Sequence, residues 1–98
     1  MSCNRFVICG EITALDELRY TPVGLERVEL KIQHHSTQQQ AGMPRQVQCE
    51  VTALALGEVA RKVAGFQVGQ KVKAGGFIAQ RSLRSTQLVL HIENIILE

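Results

Sequence analysis

The sequence has no tryptophan, and its only aromatic residues are Phe6, Tyr20, Phe66 and Phe77. A chain so poor in large flat side chains must build its core from aliphatic residues and can offer few stacking surfaces to a planar ligand. It also lacks any apolar run near the ~18 residues that cross a bilayer. The opening Met-Ser-Cys-Asn-Arg has none of the charged region, long apolar stretch and cleavage site of a secretory leader. A cytoplasmic location, with no membrane partner, is the expectation. Cys3, Cys9 and Cys49 are odd in number and lack metal-ligand spacing, so they read as reduced thiols, with Cys9 and Cys49 as small core residues. Phosphate-binding glycine loops, GxGxxG, HExxH and GxSxG are all missing. His34 and His35, as neighbours on a strand, point to opposite faces and cannot share a metal. No catalytic residue, metal or cofactor is therefore expected, and the chain reads as a binding protein, not an enzyme.

One sign of charge is missing from long stretches. No Asp or Glu lies between Glu58 and Glu93, while Arg61, Lys62, Lys71, Lys73, Arg81 and Arg84 do. A second acid-free window between Glu29 and Glu50 holds Lys31, His34, His35 and Arg45. The net charge is only +2, but this distribution gives one side of the molecule a positive potential that attracts polyanions.

What is present is strand periodicity. The 98 residues suffice for one domain, residues 1–98. Arg5–Leu15 is rich in β-branched residues and carries Gly10, a signal for a bend or bulge. In Leu25–His35, Val28, Leu30 and Ile32 alternate with polar residues, and in Arg45–Ala55 so do Val47, Cys49, Val51 and Ala53. Polar Ser36–Pro44 between them reads as a loop. Gly57–Gly65 suits one or two helical turns. Val68–Arg81, with a corner at Gly75-Gly76, and Gln87–Leu97 supply the last two strands, joined by a polar loop at Ser82–Thr86. Five strands with one short helix between the third and fourth is the order of an all-β, five-stranded Greek-key OB-fold barrel. An SH3-like barrel competes, and the helix placement favours OB.

Proteins that hold a single nucleic-acid strand combine cations that follow the phosphates with flat side chains under the bases. On a regular fourth strand, Lys71, Lys73, Phe77 and Arg81 share one face; a bulge at Gly75-Gly76 would instead send Phe77 to the core. Arg81 and Arg84 lie among hydroxyls suited to phosphate contacts. Lys31 and His35 on the second strand, Arg45 and Gln48 on the third, and Arg19-Tyr20 before the Thr-Pro-Val-Gly turn complete the candidate site.

At these residues the chain resembles the primosomal replication protein N (PriB) family, bacterial replication-restart factors similar to the single-stranded DNA-binding protein. The likeness runs through Asn4-Arg5-Phe6-Val7, Thr21-Pro22-Val23-Gly24, Glu29–Ser36 and the Gln38–Gly42 segment. It continues through Gly75–Ser82 and Leu90–Ile95. The resemblance implies an OB-fold homodimer that binds single-stranded DNA and helps the primosomal helicase PriA, with other primosome proteins as further partners. Carried over by position, DNA contacts fall on Arg81, Arg84, His35, Met43 and Arg45. The family can carry aromatic residues at Met43 and Gln48, and this chain does not. His35 is a weaker cation than arginine at neutral pH. These departures shift the expected binding from base stacking toward the phosphates. An OB-fold protein–protein adaptor with incidental DNA or RNA affinity is the alternative reading.

Overall fold

The computed structural model describes residues 2–98. Its elements in chain order are β1 (Phe6–Leu15), β2 (Arg19–Tyr20), β3 (Glu26–Gln40), β4 (Met43–Leu56), α1 (Glu58–Ala64), β5 (Lys71–Ser82) and β6 (Ser85–Leu97). Around the barrel the order is β1-β5-β6-β4-β3, and β3 returns to β1 to close it. All ladders are antiparallel except β4–β6, which is parallel and rests on the pairs Ala53↔Leu90 and Leu54↔His91. The two-residue β2 adds to the edge of β3, leaving the expected five-stranded OB barrel intact.

The alternation read from the sequence aims the core. Val28, Leu30 and Ile32 of β3, Ala53 and Ala55 of β4, and Val72 and Ala74 of β5 are buried inside the barrel with Ile12, Leu90, Ile92 and Ile95. Each buried Val, Leu or Ile among them contributes about 1.5–3 kcal/mol when taken from water. Ala60 and Val63 of α1 cap one barrel end. The helix occupies the expected place between the third and fourth long strands, and Gly65 terminates it by donating to the Lys62 carbonyl.

Bends fall where side chains must be absent. β1 pairs with β5 up to Glu11 and with β3 from Glu11 onward. At Gly10, next to this handover, a Cβ would run into the Gln33 carbonyl. The bulge itself lies two residues later, between Ile12 and Ala14. At the second corner the extra residue belongs to β6: Gly75 pairs with Asn94 but Gly76 with Ile92, so Glu93 is left over. The in–out parity of β5 is therefore unbroken.

Two expectations are corrected. Ser36–Pro44 is not a loop. β3 and β4 run on as a hairpin to the Gln40↔Met43 pair and turn only at Ala41-Gly42. Both turn residues have positive φ, at 54° and 76°, the geometry of a two-residue turn whose twist matches the strands. Polar composition suggested a loop, but the backbone ladder needs no apolar face to continue. Cys9 and Cys49 are not core residues; both are exposed. Ile8 and Ile12 point inward, which puts Cys9 outside beside Lys73. Cys49 has the inward parity of Ala53 but lies on the hairpin opposite His34, past the last buried residue of β4.

Candidate nucleic-acid interface

The hairpin Ser36–Cys49 projects from the barrel as an arm, exposed or half-exposed throughout. At its base His35 and Gln48 are direct cross-strand partners. His35 also lines a cleft of about 420 Å³ with Gln33, Glu11, Cys9, Lys71 and Glu98. Two cations assigned from different strands are thus brought together. Met43 and Arg45 sit at the tip, where Arg45 donates to the Gln40 amide oxygen at 2.6 Å. Lys31, further down the outward face of β3, lies 3.9 Å from Glu50.

His34 ties the arm to the barrel. Its Nδ1 lies 2.6 Å from the Cys9 carbonyl oxygen and its Nε2 lies 2.7 Å from Ser36 Oγ. Gln38 then donates to the same hydroxyl at 2.9 Å. The carbonyl contact requires Nδ1 to carry a proton and donate.

Lys71, Lys73, Phe77 and Arg81 do share the outer face of β5, but they are not equally available. Lys71 and Lys73 are exposed, and no carboxylate pairs with them among the described residues. Phe77 is not in the core. It stacks on His91, its cross-strand partner on β6, with ring centroids 4.9 Å apart and planes within 3°. All three nitrogens of Arg81 make hydrogen bonds within the molecule. Its two terminal nitrogens donate to the two Glu29 oxygens at 3.0 Å each, and Nε donates to Gln87 Oε1 at 2.9 Å. These bonds hold the Glu29 carboxyl below the usual carboxylate range, against the opposing effect of burial, and raise the Arg81 guanidinium. Arg84, in the turn after β5, is exposed. Arg19 and Tyr20 form the short β2 beside Arg27 and Glu26, away from the arm's tip. Tyr20 is exposed and packs on nothing in the core.

Sequence reasoning missed the pairing of His91 with Phe77, which depends on the extra residue at Glu93. It also missed Glu29 as the partner of Arg81, 52 positions away. No local signal marks either contact. Cys9, on the rim of the cleft, is held above its ordinary thiol value by hydrogen bonding to Glu98, with slight burial adding to the effect, which disfavours the reactive thiolate. Among the described residues no group of His, Cys, Asp or Glu could hold a metal ion.

A closed Greek-key barrel with a capping helix, a long arm between its second and third long strands and cations on its outer surface defines the OB-fold class of the single-strand-binding type. A family model described as "another single-strand binding protein family" matches residues 4–94. Replication restart protein PriB of Nitrosomonas europaea is 43% identical over 91 residues, covering 93% of this chain and 84% of that one. PriB of Proteus mirabilis is 34% identical, covering 97% and 93%. The chain belongs to this family of single-strand binding and PriB proteins. The solved structure of PriB from Ralstonia solanacearum superimposes with a TM-score of 0.89 at 25% identity, covering 99% of this chain and all of that one. The single-stranded DNA-binding protein of Thermus aquaticus shares the fold, with a TM-score of 0.78 at 22% identity over 97% of this chain and 50% of its own.

Proposed function

We propose that this chain is a single-stranded DNA-binding accessory protein of replication restart, acting in the cytoplasm as a homodimer and stimulating a PriA-type helicase. The observation that carries the DNA reading is the set of exposed cations left without a carboxylate partner. Lys71, Lys73, Arg45 and Arg84 have no carboxylate partner among the described residues, and Lys71 shares its cleft with His35. Cations that the fold does not use internally remain available to neutralise phosphates. The relatives' name, replication restart protein, supports the biological setting. Among the described residues no helix is long and apolar enough to cross a membrane.

Neutralising about four phosphates of a single strand gives log K a slope near −3 against log salt, from ~0.7 per phosphate. Titrating a labelled oligonucleotide at several salt concentrations measures it. The expected result is a steep slope with weak sequence preference, flattened by about 0.7 for each of Lys71→Ala and Lys73→Ala. A flat salt response in the unsubstituted protein would remove the electrostatic basis of the proposal.

A protein-adaptor reading draws on a different observation. The turns at two loops present bare apolar side chains: Val23 is 82% exposed and Leu83 entirely so. Arg84→Ala combined with Lys71→Ala separates the two. Loss of DNA binding with helicase stimulation intact favours the adaptor; loss of both favours a function through DNA.

A further inference from the structure

We propose that Glu29 withholds Arg81 from DNA and thereby sets the affinity of the binding surface below what its cations would otherwise give. This rests on the single-stranded DNA reading above. The geometry commits three of the five N–H donors of Arg81 inside the molecule, including the paired face that would grip a phosphate with two bonds. Its guanidinium meets the Glu29 carboxylate through two parallel bonds of 3.0 Å, and its remaining nitrogen is bonded to Gln87. Paired forks of this kind are the strong members of their class.

Glu29 cannot readily swing aside. Its side chain is only 19% exposed, and Arg27 holds the same carboxylate from the other side at 3.3 Å. Leu54, Val89 and His91 line the recess around the pair. Val89 is buried there on the outer side of the sheet, apart from the main core. A phosphate that draws the paired face of Arg81 away from Glu29 leaves a mostly enclosed carboxylate with Arg27 alone, and stripping a partner from an enclosed ion pair is costly. The contrast is Lys31 with Glu50, 3.9 Å apart and both about half-exposed, a pair that yields to a competing anion at little cost. Glu29 is thus a positioning residue. It fixes Arg81 and leaves Arg84, three places on and exposed, to present the hairpin's charge.

Four proteins test this: the unsubstituted chain, Glu29→Gln, Arg81→Ala and the double variant, each titrated with labelled oligothymidylate across a range of salt. Glutamine keeps one oxygen for Arg81 but removes the charge. The expected result is that Glu29→Gln binds several-fold more tightly and steepens the salt slope by about 0.7, the value of one further phosphate contact. Arg81→Ala alone leaves the slope unchanged, and the gain from Glu29→Gln disappears in the double variant. A slope flattened by about 0.7 in Arg81→Ala would show Arg81 already on a phosphate and overturn the inference. So would no change in Glu29→Gln, or a gain that persists without Arg81, since that would be a general effect of lost negative charge. Thermal melts check folding, and Arg81→Gln replaces Arg81→Ala if the latter does not fold. Absence of salt-dependent binding by the unsubstituted protein would overturn the underlying reading itself, so the two failures are distinct.

Discussion

Gly76 carries more of the architecture than its size suggests. It stands where β6 accommodates the extra Glu93, and a Cβ there would overlap the His91 carbonyl oxygen. The obstacle is backbone, which cannot rotate away as a flexible side chain would. Gly76→Ala is expected to destabilise the fold by about 1–3 kcal/mol, the range for overfilling a packed site. A lowered denaturation midpoint with an unchanged slope would show it; an unaltered midpoint would mean that the corner can open freely. The Gly-Gly pair was legible as a corner because only glycine tolerates such an approach. Which strand held the extra residue was not legible, and that decides where Phe77 points. The position of Cys49 was hidden for a related reason: parity gives a face, whereas burial depends on whether another element covers that face; Cys9 faces out by parity alone, set by inward Ile8 and Ile12.

At the scale of elements, the barrel strands and the arm differ in what sustains them. The barrel strands bury aliphatic side chains, and their alternation announced them. From Ser36 to Cys49 the hairpin contributes no buried residue; Ser36–Pro44 left no periodic trace, and its composition alone suggested a loop. The arm stands on backbone pairing and on the turn at Ala41-Gly42. Deleting residues 37–46 and joining Ser36 to Val47 through Asn-Gly, a pair suited to the same turn, should leave the melting temperature nearly unchanged. Oligonucleotide affinity should fall, because Met43 and Arg45 go with the arm. A large loss of stability would show that the arm supports the barrel after all. The candidate site was legible in type and only partly in place. Basic residues were identifiable by charge, and His35 with Lys71 proved adjacent, but the internal pairing of Arg81 required the folded register.

The whole molecule keeps some strand edge unpaired despite its closed barrel. Along β1, residues from Phe6 to Cys9 pair with β5 on one side. On the other side no strand among the described residues meets them, and His34 takes only the Cys9 carbonyl. Phe6 and Val7 beside this edge are 48% and 59% exposed. A second copy pairing here would satisfy both the backbone and the apolar side chains, which is the route by which we expect the homodimer to form. Sedimentation should find a dimer in the unsubstituted protein and a monomer after Val7→Lys, since an edge lysine discourages pairing. A monomer in both would dispose of this interface.

The arm is another unpaired edge, and its chemistry is the reverse. Beyond the barrel neither β3 nor β4 has a second neighbour, so two rows of backbone groups lie open, a template on which copies could stack without limit. Pro44 removes a donor from one row, Arg45 adds charge beside it, and glutamines rather than an apolar run fill the other. An added strand would find hydrogen bonds there but little apolar surface to bury. The chain thus extends a long finger into solvent with its tendency to aggregate held in check, and keeps the edge at Phe6–Cys9 short enough to be used up by a single partner.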